Sequence, residues 1–223
     1  MILRRVLNVE TDYSAMHGIL RRYHNIAIGG RKGHGKDSLA MYLRLVYGYN
    51  ITSFATPLKQ KAAERLVDEA GLSLDEALRR LNHPKEKEQY RVLLQNIGME
   101  ERDADPLHWV KKSGIVQAKG LNVVPDARFE NEVDAITRKP GISIFVRARW
   151  REQEQAEDPT LQHISEALGP ESYTFTATVP RGIEPAINYY ERFLSALCFP
   201  APDEARQEEF ALWLAEKIAG GSN

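Results

Sequence analysis

The sequence predicts an α/β protein with a parallel sheet, because short β-rich runs alternate with longer helical patterns along its 223 residues. Hydrophobic residues make up 43% of the chain and charged residues 27%, which is enough apolar material for one sizeable core. We therefore expect a single domain over residues 1–223. The five predicted strands are 26–28, 51–54, 122–124, 142–146 and 173–179.

Helical patterns fill the intervals between these strands. Apolar residues recur at helical spacing over 39–46, after the first strand, and over 58–70, after the second. The interval between the second and third strands is too long for a simple crossover, so it predicts several helices of its own. The expected segments are an N-terminal extension (1–24), a helical insertion (56–120), a polar flap (148–170) and C-terminal helices (184–223).

Charge and cysteine content narrow the class of protein. Lys and Arg number 30 and Asp and Glu number 31, so the whole molecule is not attracted to nucleic acid or to an anionic membrane. No apolar run approaches the roughly 18 residues that a membrane-spanning helix needs. Cys198 is the only cysteine, which excludes a disulfide within the chain and favours a reducing, cytoplasmic compartment. We expect Cys198 to be buried beside Phe199.

The most informative segment lies between the first strand and the helix after it. Its pattern, Gly-x4-Gly-Lys, is that of a P-loop, in which glycines let several backbone N–H groups point at a phosphate. The lysine adds a full positive charge for the β and γ phosphates of ATP. The predicted ATP-binding residues are Gly30, Lys32, Gly33, His34, Gly35, Lys36, Asp37 and Ser38.

One position departs from the usual P-loop pattern. Asp37 follows the lysine where a Ser or Thr normally coordinates Mg²⁺, and Ser38 comes one residue later. A carboxylate is a suitable Mg²⁺ ligand, directly or through water, so Asp37 is the predicted metal residue. The alternative is that Asp37 is an acidic first-turn residue that stabilises the helix dipole. Ser38 either bonds an α phosphate or packs at the helix start.

Four further segments, in order and spacing, carry a specific similarity. Together with the P-loop, the chain resembles the bacteriophage-type deoxynucleoside monophosphate kinases over about residues 26–166. The segments are Phe54-Ala-Thr-Pro-Leu-Lys59, Arg91-Val-Leu-Leu-Gln-Asn-Ile-Gly98 with Arg102, Val124-Pro-Asp-Ala-Arg-Phe-Glu-Asn-Glu132, and His163-Ile-Ser-Glu166.

This resemblance implies a fold and an activity. The fold is a three-layer α/β/α P-loop kinase with a five-stranded parallel sheet, in which 56–120 binds the acceptor and 148–170 forms a lid. The activity is direct transfer of the γ-phosphoryl group of ATP, with Mg²⁺, to a deoxynucleoside monophosphate. The implied partners are small nucleotides, without a stable nucleic acid or a membrane, and the C-terminal helices are a candidate homodimer surface. A phage-encoded enzyme of this kind would work in the host cytoplasm.

Asp126 and Arg128 follow the third strand, at the edge where open α/β sheets place ligands. Asp126 could orient the acceptor phosphate or hold Mg²⁺ through water, whereas its alternative role is to cap the helix that begins near Phe129. Arg128 could neutralise phosphate, or it could pair with Glu132 on the same helical face. The residues expected in catalysis are Lys36, Asp37, Asp126, Arg128, Arg149 and Arg151.

The acceptor site is expected to use the insertion and the lid. Arginine binds a dianionic phosphate in bidentate fashion, although Arg91 and Arg102 could equally be solvated helix-face charges. Of the three arginines after the fourth strand, Arg147 continues the strand alternation, so Arg149 and Arg151 are the favoured catalytic pair. Trp150 either stacks on a base or anchors the flap. The expected acceptor-binding residues are Phe54, Lys59, Arg91, Gln95, Arg102, Asp126, Arg128 and Trp150.

Two other functions fit a P-loop of this type. One is a different small-molecule kinase, such as a dephospho-coenzyme A kinase, which shares the loop and sheet but has another acceptor pocket. The other is a non-catalytic module that uses ATP binding to control assembly. The balanced charge and the length of the insertion favour the kinase reading.

Overall fold

The computed structural model describes residues 23–83, 85–138, 140–152 and 168–220. It is an α/β fold with a five-stranded parallel sheet, in the order β2-β3-β1-β4-β5, and the predicted fold class is confirmed. The strands are β1 (Asn25–Gly29), β2 (Asn50–Ile51), β3 (Asn122–Val124), β4 (Gly141–Arg147) and β5 (Phe175–Thr178).

Helices lie on both faces of this sheet. Ile26 and Ile28 of β1 pack with Tyr42 and Phe210 on one face, whereas Ala27 between them packs with Ile97 on the other. The period of two along a strand separates these layers. The helices are α1 (Lys36–Tyr47), α2 (Ala55–Ala70), α3 (Leu74–Asn82), α4 (Arg91–Ala104), α5 (His108–Ser113), α6 (Glu130–Thr137), α7 (Ile183–Ala196) and α8 (Glu204–Gly220).

Strand β1 occupies the centre of the sheet and is buried along its whole length. Its residues pair on one side with β3, as Ile26 does with Val123, and on the other with β4, as Ile26 does with Ile142. The chain reverses its strand order at this point, because β3 and β4 flank β1. Open parallel sheets bind ligands at such a position, outside the carboxyl ends of the strands.

The segment between β2 and β3 contains four helices, α2 to α5, and a 3-10 turn over Glu86–Tyr90. Their apolar faces form a core against the sheet that includes Leu81 and Ile97. Trp109 of α5 is buried, and its indole N–H donates to the Gly98 carbonyl oxygen at 3.1 Å. The helices therefore pack as one body with the sheet.

Two sequence expectations differ from the structure. Strand β2 ends at Ile51 and not at residue 54, because Phe54 already has helical backbone angles and starts α2. Cys198 is exposed, so the prediction that it is buried was wrong. Its φ of 64° turns the chain at the end of α7, which leaves the neighbours Leu197 and Phe199 to fill the core instead.

Two predicted segments fall largely outside the described residues. Residues 1–22 of the N-terminal extension lie outside them, and so do residues 153–167 of the predicted lid. The latter range includes His163, Ser165 and Glu166. Among the residues that are described, no helix is long and apolar enough to cross a membrane.

The tight fit of Gly30 on β4 predicts a large cost for any side chain there. A Cβ on Gly30 would lie 2.1 Å from the Val146 carbonyl oxygen, and the φ of 124° disfavours L-residues. We expect Gly30→Ala to lower the free energy of unfolding by about 3 kcal/mol or more. Gly48→Ala is the control, because Gly48 also has a positive φ but has open space around it, so about 1–2 kcal/mol is expected. Equal losses in urea denaturation would contradict this account.

Candidate active site

The loop between β1 and α1 adopts the closed turn that a P-loop requires. Gly30, Gly33 and Gly35 have φ values of 124°, 81° and 94°, which only glycine adopts readily. Lys36 is the first residue of α1, and its ammonium donates to the Arg31 carbonyl oxygen at 2.6 Å. The lysine thus lies back over the loop, where its charge and the positive end of α1 meet.

His34 has a structural part in this loop. Its side chain is 1% exposed, and its Nδ1 accepts a hydrogen bond from the Ala148 N–H at 3.3 Å. The Tyr190 hydroxyl contacts the loop from α7 and donates to the Gly35 carbonyl oxygen at 3.4 Å. The His34 backbone N–H donates to the Arg31 carbonyl oxygen at 3.3 Å, so His34 closes the loop through its side chain and its backbone. Its expected contact with ATP stays a prediction.

Asp37 and Ser38 occupy the first turn of α1. The Asp37 side chain is 75% exposed, and the Lys217 ammonium of α8 lies 4.0 Å from its carboxylate. No group of three or more His, Cys, Asp and Glu side chains gathers within the described part of the chain. Mg²⁺ does not need such a cage, since it usually takes one or two carboxylates, water and the phosphates of the substrate. An exposed carboxylate beside the lysine of the loop fits that donor set.

Asp126 joins the end of β3 to the start of α2. Its carboxylate accepts hydrogen bonds from the Ala55 N–H at 2.9 Å, the Phe54 N–H at 3.2 Å and the Ser53 hydroxyl at 2.6 Å. It therefore caps α2, and not the helix that begins after Phe129, which was the alternative considered from the sequence. Its proposed contact with a metal-bound water remains a prediction.

The Glu132 carboxylate holds the loop after β3 through hydrogen bonds. It is 2% exposed, and its carboxylate accepts from the Arg102 guanidinium at 2.9 Å and from the Arg128 backbone N–H at 2.9 Å. Desolvation by burial raises the pKa of Glu132, against the lowering effects of these two donors. The Arg102 guanidinium also lies 3.9 Å from the centre of the Phe129 ring. The Arg102 guanidinium is therefore engaged by Glu132 and Phe129, at the border of the site.

A cavity of about 350 Å³ opens beside Gly30 at the carboxyl end of the sheet. Three arginines from different segments line it: Arg31 from the P-loop, Arg128 from the loop after β3, and Arg147 from the end of β4. Tyr173 closes the base, and its hydroxyl donates to the Ala127 carbonyl oxygen at 2.9 Å. Glu152 and Glu171 line the same cavity, and Glu152 pairs with Arg147. The volume lies in the range of small-molecule sites, and the three arginines outnumber the two carboxylates, which favours an anion.

The described start of the lid brings one arginine to the P-loop. The Arg151 side chain lies over Gly33, with its Nε 3.1 Å from where a Cβ of that glycine would be. Arg149 is exposed, and the Arg181 guanidinium lies 5.4 Å from the centre of the Trp150 ring. Arg147 pairs with Glu152, with Nη2 2.7 Å from Oε2. Of the two arginines favoured from the sequence, Arg151 therefore has its side chain against the P-loop.

The remaining acceptor candidates lie on α2, α4 and the turn before it. Phe54 is buried in the core, and the Lys59 ammonium donates to the Asn82 side chain at 2.8 Å. Gln95 is half-buried on α4. Arg91 pairs with Glu88 at 2.8 Å, and Glu88 in turn lies 3.5 Å from Lys32 of the P-loop.

Two arginines of the cavity were not among the predicted site residues. Arg31 occupies a variable position of the P-loop pattern, so the motif itself carries no signal for it. Arg147 is the last residue of β4, at the edge where open α/β sheets place ligands, and it both lines the cavity and pairs with Glu152.

Comparisons with known proteins give only distant similarity. No protein-family model matches the sequence, and no curated protein matches it. TT1252 from Thermus thermophilus is 19% identical, with a TM-score of 0.42 over 79% of this chain and 96% of its own. A proposed kinase from Chloroflexus aurantiacus is 15% identical, with a TM-score of 0.32 over 91% of this chain and 100% of its own.

The Arg102–Glu132 pair predicts a pH-dependent loss of stability. Arg102→Met leaves a buried carboxylate without its cation, which costs about 3–5 kcal/mol in the free energy of unfolding near neutral pH. The pKa of Glu132, already raised in the folded protein, should rise further. The folded variant then holds a proton that the unfolded chain releases, so its stability falls as the pH rises from 5 to 8.

Urea denaturation at pH 5, 6.5 and 8 measures this effect. Arg138→Met is the matched control, because Arg138 pairs with Asp134 on the surface of α6 and is 80% exposed. Its loss should stay within about 0.5 kcal/mol at each pH. A loss for Arg102→Met that is equally small, or that shrinks toward pH 8, would show that the pair does not hold the loop.

Proposed function

We propose that this chain is an ATP-dependent kinase that phosphorylates deoxynucleoside monophosphates to diphosphates by direct in-line transfer. The observation that carries this proposal is the closed glycine turn after the central strand, with Lys36 lying over it at the start of α1. Such a turn offers inward backbone N–H groups, a helix dipole and an ammonium to one polyphosphate. The Arg151 side chain over Gly33 adds a further cation at the same place.

The choice of acceptor is supported by two independent features. The cavity that contains the three arginines also has Gly30 and Arg31 of the P-loop in its lining, so a ligand there would lie next to one bound by the loop. Its size admits part of a nucleotide and its charge favours a phosphate. The deoxynucleoside monophosphate in particular follows from the resemblance of the segments that contain Lys59, Arg91, Asp126 and Arg128 to the phage-type kinases.

The residues of this chain would act by position and charge. Lys36 and the loop amides hold the β and γ phosphates, while Arg128 and the insertion hold the acceptor phosphate so that one of its oxygens points at the γ phosphorus. The bond from that oxygen to phosphorus forms as the bond to the β–γ bridging oxygen breaks, and ADP leaves with the bridging oxygen. Bound Mg²⁺ would neutralise phosphate charge, with Asp37 and ATP as its ligands.

Arg151 has two effects in this scheme. Its guanidinium offers fixed donors to the equatorial oxygens of the transferring group, where charge spreads in the transition state. The segment that carries it also covers the loop, which would keep water from the γ phosphate. Arg149, whose side chain is exposed, would then lie at the surface of the same segment.

Lys36→Ala tests the core of the proposal. The variant should lose kcat/KM by at least about 10³-fold, because a full charge on the transferring phosphate is removed. Its free energy of unfolding should stay within about 1 kcal/mol, since the hydrogen bond from its ammonium to the Arg31 carbonyl oxygen is solvent-exposed. Arg44→Ala, on the exposed face of the same helix, is the control and should keep wild-type turnover. A Lys36→Ala enzyme with most of its activity would refute the assignment.

A panel of acceptors separates the proposed function from its rivals. The purified protein receives Mg²⁺ and ATP with each common deoxynucleoside and ribonucleoside monophosphate and with dephospho-coenzyme A, and diphosphate or coenzyme A formation is measured. We expect product from at least one deoxynucleoside monophosphate and none from dephospho-coenzyme A. Product from dephospho-coenzyme A alone would identify the other kinase class. ATP hydrolysis without any transfer, stimulated by DNA, would favour an assembly module.

A further inference from the structure

A second cavity adjoins the one that contains the three arginines. It has a volume of about 430 Å³, and both Arg128 and Leu168 line it as well as the first cavity. The first cavity reaches the P-loop at Gly30, whereas the second is lined by Pro106, which follows α4, and by Phe129, which precedes α6. A ligand that is longer than a phosphate group could therefore extend from the first cavity into the second.

Phe129 is the aromatic residue in the lining of the second cavity. Its side chain is half-buried, yet it belongs to neither of the two hydrophobic cores that the described residues form. The Arg102 guanidinium lies 3.9 Å from the centre of its ring. Ligand cavities are commonly lined by aromatic side chains, and a ring that takes no part in a core is suited to contact a ligand.

Contacts within the protein set the position of this ring. The Phe129 N–H donates to the Glu132 carboxylate at 3.3 Å, and the Arg102 guanidinium donates to the same carboxylate at 2.9 Å. Arg102 also donates to the Gly98 carbonyl oxygen of α4 at 3.1 Å. A ring that is already held in place loses little conformational entropy when a ligand packs on it, so it makes an effective stacking surface.

The charges of the two cavities indicate which one holds a phosphate. In the first cavity the arginines outnumber the carboxylates. In the second, Arg102 is already paired with the buried Glu132, and the exposed Glu130 adds a negative charge. A phosphate monoester is therefore favoured in the first cavity, which leaves the second cavity for the uncharged part of the same ligand.

Asn131 supplies a polar atom in the lining of the second cavity. Its Nδ2 donates to the Pro106 carbonyl oxygen, which fixes the orientation of the amide. Its Oδ1 has no hydrogen-bond donor among the residues that the structure describes. This oxygen can therefore accept a hydrogen bond from an N–H group of a ligand.

We propose that the second cavity binds the nucleobase of the acceptor nucleotide, with the Phe129 ring stacked on the base. This inference rests on the proposed function and adds to it a residue to which the sequence expectations gave no role. Trp150 was the ring considered from the sequence for stacking on a base. It lines neither of the two cavities, and the Arg181 guanidinium lies 5.4 Å from the centre of its ring.

Calorimetry without ATP tests the base subsite. The ligands are each common deoxynucleoside monophosphate and 2-deoxyribose 5-phosphate, which has the same sugar and phosphate but no base. The wild-type protein should bind its preferred monophosphate at least about tenfold more tightly than the sugar phosphate. In Phe129→Ala this preference should fall to about twofold or less, because the base loses its stacking surface while the phosphate contacts remain.

Two further variants make the test specific to the ring. Phe129→Leu keeps apolar bulk beside Arg102 but not the flat face, so the preference should fall at least about threefold. Phe193→Ala is the matched control, because Phe193 is also half-buried and stacked, on Tyr189 of α7, but lines neither cavity. It should keep the wild-type preference within about twofold.

Three results would overturn the inference. One is an unchanged preference in either Phe129 variant. Another is an equal weakening of both ligands in Phe129→Ala, which would mean that the ring only supports the fold of the loop. The third is a wild-type protein that binds the monophosphates no more tightly than the sugar phosphate, or binds none of these ligands.

Phosphorylation assays separate this inference from the proposed function. If monophosphates bind through Phe129 but none is phosphorylated by ATP and Mg²⁺, the proposed function fails and the base subsite stands. If a monophosphate is phosphorylated but the preference over the sugar phosphate does not change in Phe129→Ala, the base subsite is wrong and the proposed function stands.

Discussion

The close approach between the P-loop and the last residues of β4 is the constraint on which the site depends. Gly30 lies so near the Val146 carbonyl oxygen that no Cβ fits between them. Two residues further along the chain, the Ala148 N–H donates a hydrogen bond to the buried His34 imidazole. These two contacts hold the P-loop against the end of β4 and Ala148. A shift of the segment after β4 would thereby change the position of the loop backbone.

Two carboxylates hold the loop after β3. The half-buried Asp126 ties the end of β3 to the start of α2, and the buried Glu132 ties the same loop to Arg102 on α4. Each acid accepts several hydrogen bonds, which compensates the desolvation of its charge. The insertion is in this way held to the sheet edge by specific polar contacts as well as by its apolar face.

Much of the fold could be predicted from the sequence, because the strands of a buried parallel sheet are short apolar runs. Strand β3 was predicted at its observed residues, and β1 and β4 within one residue at each end. The end of β2 was missed because the Asp126 carboxylate, 71 residues away, determines where α2 starts. Cys198 was misjudged because a local pattern cannot show that the chain turns there with a positive φ.

The residues of the candidate site could be predicted where they belong to a sequence motif whose chemistry is known, as Gly30 and Lys36 do. They could not be predicted where they act through the tertiary arrangement. Glu132 is an example, because its carboxylate joins Arg102, 30 residues away on α4, to the backbone of the loop after β3.

Equilibrium binding tests whether the loop from Gly30 to Lys36 holds a triphosphate. Isothermal calorimetry with Mg²⁺ would compare ATP, AMP and adenosine. If the loop amides and Lys36 supply the affinity, ATP should bind at least about 100-fold more tightly than AMP, and adenosine more weakly still. Equal affinity for ATP and AMP, or no measurable binding of ATP, would contradict the account.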